Sequence, residues 1–214
     1  MMSVDLRHPI FARLYPKVDA NLARIGGTKH RAELLAGASG RLLEIGAGHG
    51  ANFAHYPPEV TEAIAIEPEP RLRALAQQAA ANASVPVRVL SGRGEKLEEI
   101  NDRSIDVAVT SLVLCTVKDP RLTLRELHRV LRPGGELRFY EHIRGDTRGE
   151  IRLQRAADLL WPFFAGGCHV SRPTIESIRT AGFVIQHERN FTFPPGARGN
   201  PAAPHVIGVA TRPR

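Results

Sequence analysis

Short runs rich in apolar residues recur along the chain at 42–45, 63–66, 85–90, 105–110 and 136–140. Each run is too short for a helix and long enough for one buried strand. Between the runs, apolar positions spread out to helical spacing. Residues 69–82 form an amphipathic stretch rich in Ala, Leu and Gln, and Asp119-Pro120 opens another that reaches Leu131 and ends at Arg132-Pro-Gly-Gly135. A shorter helix is predicted from Ala51 until Pro57-Pro58 stops it. Strand–helix alternation with such brief connections predicts a parallel sheet covered by helices on both faces.

The flanks read differently. Residues 1–40 are helical in pattern: 9–15 with Pro9 in the first turn, an interruption at Pro16, then 18–25, then a helix opened by Thr28 and reaching Leu35. After the fifth run, 148–160 reads as a helix and 161–169 as an apolar, Gly-containing connection. Ser171 is placed to cap a helix ending near Ala181, and strands are expected to begin at 183–185 and to run over 205–210. Between those strands, 191–204 holds four prolines and two glycines and reads as a loop or long hairpin tip. Neither an internal repeat nor a linker divides the chain, so 1–214 is expected to be one domain.

The chemistry begins where the first run ends, in Arg41-Leu-Leu-Glu-Ile-Gly-Ala-Gly-His-Gly-Ala-Asn-Phe53. Gly46, Gly48 and Gly50 allow a sharp strand-to-helix turn with bare backbone facing a ligand. Residues 46–51 satisfy the dinucleotide pattern G-x-G-x-x-G/A, and Glu67 follows about 20 residues on, as that pattern asks. Three features argue against a dinucleotide. Glu44 precedes the glycines, where a buried carboxylate needs a cationic or hydrogen-bonding partner. The next helix is cut short by Pro57-Pro58, and no second mononucleotide half follows 136–140. The positively charged methionine end of S-adenosylmethionine suits Glu44 better.

The run of motifs resembles the class I S-adenosylmethionine-dependent methyltransferases: Leu43-Glu-Ile-Gly-Ala-Gly-His-Gly50, Ala65-Ile-Glu-Pro68, Gly94-Glu-Lys-Leu97, Asp106-Val-Ala-Val109 and Leu127-His-Arg-Val-Leu-Arg-Pro-Gly-Gly135. A closer likeness to the methyltransferase-like family 7 proteins of animals, membrane-associated alkyl thiol methyltransferases, runs through 48–58, Ser111-Leu-Val-Leu-Cys-Thr-Val117, Tyr140-Glu-His142 and Pro204-His-Val-Ile-Gly208. The hydrophobic N-terminal anchor of that family has no counterpart in this chain, and the segment around Trp161 is only partly similar. The resemblance implies a Rossmann-like α/β fold with a seven-stranded, mostly parallel sheet and an antiparallel last strand. It also implies three parts: N-terminal helices at 1–40 as a lid, a cofactor-binding core at 41–141, and acceptor-side helices and closing strands at 142–214.

By the same resemblance, the amides of Gly46, Ala47 and Gly48 suit the methionine carboxylate, Glu44 the ammonium, and Glu67-Pro68 the ribose hydroxyls, with Asn52 and Tyr15 beside them. Gly94 and Glu95 would meet adenine through their backbone, since Arg93 stands where the family places an acceptor; alternatively Arg93 stacks on the ring. Ser111 and Leu112 would pack on the methionine chain. The competing reading makes Glu44 and Glu67 plain capping or ion-pair residues.

Methyl transfer is an in-line displacement at a sulfonium carbon that neutralises charge, so positioning supplies most of the acceleration and a base is needed only for a protonated acceptor. His142 is the first candidate and His205 the second, with His169 also near a strand end; packed imidazoles are the bland alternative. Cys115 reads as a small core residue. No metal is expected. Tyr15, Trp161, Phe163 and Phe164 are candidate walls of an apolar acceptor pocket.

Composition narrows this further. With 29 Lys and Arg against 22 Asp and Glu the net charge is +7, which would permit nucleic acid or an anionic membrane as partner. The basic residues are scattered without interleaved aromatics, so a small-molecule acceptor is favoured over nucleic acid. Two cysteines make no disulfide framework and suit a cytoplasmic setting. No apolar run is long enough to span a bilayer, although peripheral membrane contact stays open.

Overall fold

The computed structural model describes residues 8–197 and 199–214. Its strands are β1 (Gly40–Ile45), β2 (Val60–Ile66), β3 (Val87–Leu90), β4 (Ile105–Ser111), β5 (Leu131–His142), β6 (Val184–Thr192) and β7 (Pro204–Thr211). They form one sheet in the order β3-β2-β1-β4-β5-β7-β6. β1 pairs in parallel with β2 and β4, as do β2 with β3 and β4 with β5; β7 runs antiparallel to both β5 and β6. The seven-stranded sheet with its antiparallel last strand is the one expected.

The central strands are continuous apolar runs because helices cover both faces. Alternation divides their side chains. Leu43 and Ile45 enter one core with Ile64, Ile66, Leu124, Leu127 and Phe139. Leu42 enters the other with Ala63, Ala65, Val107, Val109, Leu34 and Leu35. The covering helices are α1 (Pro9–Leu22), α2 (Thr28–Leu35), α3 (Pro70–Ala80), α4 (Pro120–Val130), α5 (Arg148–Ala157), α6 (Trp161–Phe164) and α7 (Thr174–Thr180). Side chains start three of them. Glu69 accepts from the Leu72 amide at 2.7 Å, and Asp119 accepts from Arg121 at 2.9 Å. Thr147 and Glu150 form a reciprocal capping box at the start of α5.

Several local expectations need correction. Pro16 does not interrupt the first helix: its fixed φ is helical, and α1 runs through it at the loss of one backbone bond. A kink at Gly26, whose φ is +132°, then separates α1 from α2 where Gly26-Gly27 punctuates the sequence. No helix follows the glycine loop, only turns and the 3-10 turn Phe53–His55, because Pro57-Pro58 leaves no room. Ser171 does not cap α7; its hydroxyl donates to Asp158 at 2.5 Å, and the helix starts at Thr174.

β1 and β4 lie side by side while their crossovers leave in opposite directions. That switch point opens a crevice at the carboxyl ends of the strands, where open α/β sheets bind ligands.

Candidate active site

The crevice holds a cavity of about 720 Å³, within the ~300–1,000 Å³ usual for small-molecule sites. Loops after β1 to β4 build one side: Gly46 and Gly48, Glu67-Pro68, Gly92 to Glu95, and Ser111-Leu112. The other side comes from Phe11, Tyr15 and Leu22 of α1, from Trp161, Ala165 to His169 and Arg172, and from Phe193, Pro194, Asn200, Ala202 and His205; Phe163 and Phe164, expected as walls, point to solvent instead.

The glycine loop turns because Gly46 and Gly48 take φ of +66° and +59°. A Cβ on Gly46 would lie 2.5 Å from Val113 Cγ2, so neither the conformation nor the space admits another residue. The loop amides are not an anion cradle, contrary to expectation. Those of Gly46 and Ala47 donate to the Ile66 carbonyl at 2.8 and 3.1 Å, that of Gly50 to Ala47 at 2.9 Å, and that of Gly48 to Glu67 Oε2 at 2.8 Å. With no helix behind them, these donors are satisfied inside the fold.

Glu67 faces the cavity, and its Oε1 accepts from the Glu69 amide at 2.8 Å. Burial pushes its pKa up to about 7 against those two backbone hydrogen bonds. Glu44, Ala47 and Asn52 stand one layer behind the wall. Glu44 accepts from Asn52 Nδ2 at 2.8 Å and from the Tyr56 hydroxyl, and burial raises it to about 7 although both bonds favour the carboxylate. Asn52 in turn accepts from Arg31 Nη1 at 2.8 Å, and Arg31 pairs with Asp19 at 2.6 Å. A connected buried network thus ties α1 and α2 to the end of β1.

Glu95 braces the wall through its side chain, accepting from the Lys118 amide at 2.9 Å ahead of α4. Leu112 holds the unusual φ of +59° as its amide reaches the Tyr140 carbonyl at 2.7 Å. Glu141, fully buried, fixes the next residues by accepting from the amides of Val113 at 2.9 Å and Leu114 at 3.0 Å.

His142 and His205 are cross-strand partners on β5 and β7, with ring centroids 4.5 Å apart. His205 Nδ1 lies 2.8 Å from the Ala203 carbonyl, so Nδ1 carries the proton and Nε2 is bare. Burial, then the neighbouring His142, pushes its pKa down to about 3, which makes it a weak base. His142 Nδ1 instead faces two sulfurs, Cys115 Sγ and Cys168 Sγ, each at 3.4 Å. His169 also lines the cavity, with its Nδ1 3.9 Å from Asp158 Oδ2.

Comparison with known proteins assigns this architecture. Residues 43–139 match the family described as "Methyltransferase domain". Human thiol S-methyltransferase TMT1B is 38% identical over 185 residues, covering 83% of this chain and 74% of that protein. The chain belongs to the class I S-adenosylmethionine-dependent methyltransferases. Human thiol S-methyltransferase TMT1A is 34% identical over 182 residues, 83% of this chain and 73% of its own. Among solved structures, a methyltransferase of Thermotoga maritima, described as a possible histamine N-methyltransferase, superposes with a TM-score of 0.67 at 25% identity, over 95% of this chain and 98% of that one.

As a methyltransferase the chain uses S-adenosylmethionine, and its residues fit that cofactor. Glu67 presents a carboxylate beside bare glycine backbone, and the buried Nε of Arg93, in the same wall, has no partner among the described residues. Of the residues expected in the methyltransferase site, Tyr15, Gly46, Gly48, Glu67, Pro68, Gly94, Glu95, Ser111, Leu112, His142 and His205 line the cavity. Sequence reasoning missed Arg31, Asp19 and Tyr56, which hold Glu44 in place. Its one available signal was Glu44 itself, a buried carboxylate in need of donors. Arg172 also lines the cavity without a sequence signal of its own, as does Cys168, whose pairing with His169 in the sequence suggests a nucleophile and base that methyl transfer does not need.

Proposed function

We propose that this methyltransferase acts on a small apolar thiol. The carrying observation is the single cavity that joins the glycine-loop side to a chamber walled by Phe11, Leu22, Trp161 and Phe193. The thiol S-methyltransferases at 34–38% identity support the same acceptor class. Bound S-adenosylmethionine supplies an electrophilic methyl group on a sulfonium. Glu67 would accept from the ribose hydroxyls, Ser111 and Leu112 would seat the methionine chain, and Glu44 would act on the ammonium from one layer behind the wall. Gly94 and Arg93 bound the adenine. The aromatic walls exclude water and align the acceptor for in-line attack. A thiol, with pKa about 8.5, needs far less help from a base than an alcohol does.

Nucleic acid is disfavoured as acceptor, since the chamber wall is apolar rather than a basic groove. Contact with an anionic membrane surface fits better. Ile10, Leu14 and Val18 on α1, and Phe163 and Phe164 on α6, are exposed on elements that wall the chamber. No described helix is long and apolar enough to cross a membrane.

An acceptor screen that follows S-adenosylhomocysteine release tests the reading. Short alkyl thiols should turn over faster than phenols, amines or nucleic acid of similar concentration. Turnover of phenols with thiols inert would refute it.

A further inference from the structure

Cys115, His142 and Cys168 come from three segments distant in sequence: the bend after β4, the end of β5 and the loop after α6. One ligand atom of each lies within 4.8 Å of the other two, both cysteines are free, and all three residues line the acceptor chamber. Both sulfurs sit 3.4 Å from the same atom, His142 Nδ1. One imidazole lone pair cannot accept from two thiols at once. A single cation among the three would satisfy all of them. Tetrahedral zinc, with Zn–S about 2.3 Å and Zn–N about 2.05 Å, sets nitrogen and sulfur about 3.5 Å apart, close to the spacing here.

We propose that Cys115 Sγ, Cys168 Sγ and His142 Nδ1 bind a thiophilic d¹⁰ dication such as Zn²⁺, with its fourth position open to the chamber for the acceptor thiol. This departs from the expectation of no metal and of Cys115 as mere core packing. It rests on the thiol reading above. Two thiolates and an imidazole select zinc over hard cations, and three protein ligands with one open position is the arrangement of catalytic rather than structural zinc. The surroundings hold the ligands in place. Thr174 Oγ1 donates to the His142 carbonyl at 3.1 Å, the His169 amide donates to the Cys115 carbonyl at 2.8 Å, and Arg172 Nη1 ties the carbonyls of Leu114 and Val117 at 2.6 and 2.7 Å.

On the metal, the acceptor R–SH binds as R–S⁻ and its proton leaves to solvent. The thiolate lone pair then forms the new S–CH₃ bond. The methyl–sulfonium bond breaks with its electron pair staying on the sulfur of S-adenosylhomocysteine, and the neutral thioether leaves the metal. At pH 7 even a cysteine-like thiol of pKa about 8.5 is only a few per cent thiolate, and a simple alkyl thiol is less, so coordination can raise the reactive fraction by about 30-fold or more.

The test uses reduced, chelator-stripped full-length protein titrated with Co²⁺ as the probe. One equivalent should bring up a thiolate-to-cobalt charge-transfer band with the visible bands of a tetrahedral site, and Zn²⁺ should bleach both. Ethanethiol should perturb the bands and its methyl thioether should not. Cys168→Ser and Cys115→Ser should each weaken metal binding by more than the ~10–100-fold that loss of an outer-shell partner costs. Calorimetry with S-adenosylhomocysteine shows whether each variant is folded, and the wild-type titration stands without them. Stripping the metal should lower turnover of an alkyl thiol at least ~10-fold at pH 7, with recovery on adding Zn²⁺. A flat cobalt spectrum with full thiol turnover overturns this proposal and leaves the thiol reading intact. A cobalt site with no thiol turnover in either state overturns the thiol reading and the activating role with it.

Discussion

At the scale of single residues, Glu44 and Glu67 put two carboxylates into nearly dry surroundings, and each reaches a pKa of about 7 from 4.5. Between those values the folded chain without cofactor binds more protons than the unfolded chain. Their contribution to stability is therefore greatest below about pH 4.5 and falls as pH rises toward 7, beyond which it is level. Denaturant midpoints of cofactor-free protein across that range check the direction. Binding runs the other way. A ligand that needs ionised carboxylates should bind more weakly as pH drops below about 7, by up to tenfold per unit for each group, measurable by calorimetry. Glu67→Ala removes the proposed ribose acceptor and strands the amides of Gly48 and Glu69, so affinity for S-adenosylmethionine should fall by roughly 10- to 100-fold. Tyr56→Phe takes a donor from the buried Glu44 and should cost about 1.5–3 kcal/mol of stability in chemical denaturation.

At the scale of elements, glycine positions separate two kinds of turn. Gly46→Ala meets both a left-handed φ and Val113 at 2.5 Å, and should destabilise by about 2–3 kcal/mol. Gly196→Ala has φ of +80° with nothing within 4 Å among the described residues, so only the backbone term of about 1 kcal/mol remains. Denaturation of the two variants side by side tests that difference. The elements legible in advance were those whose cause is local. β1, β2 and β4 are buried on both faces over most of their length and so are written as apolar-rich runs, while Asp119-Pro120 announces α4 by its cap. The less legible elements depend on distant neighbours. β6 is almost wholly exposed and has no apolar alternation to betray its length. Ser171 looks like a cap until Asp158, thirteen residues back, takes its hydroxyl.

At the scale of the molecule, the +7 charge and the apolar residues exposed on α1 and α6 favour anionic vesicles as a docking surface. Phe163→Ser combined with Phe164→Ser should reduce co-sedimentation with phosphatidylserine vesicles several-fold and leave S-adenosylhomocysteine binding unchanged; equal sedimentation of both proteins would exclude that face. The donor side of the site was readable because its residues sit immediately after strands. The cluster of Cys115, His142 and Cys168 was not, because only the bend after β4, the β5 register and the loop after α6 bring it together. That division of the cavity wall has a consequence for the history and engineering of the enzyme. The proposed donor half is welded to the central strands, whereas most of the proposed acceptor half hangs on α1, on Trp161 and 165–172, and on 193–194 and 200–205. Mutation can therefore drift or be directed through those outer segments, remaking acceptor choice piece by piece, while methyl-donor use is inherited unchanged.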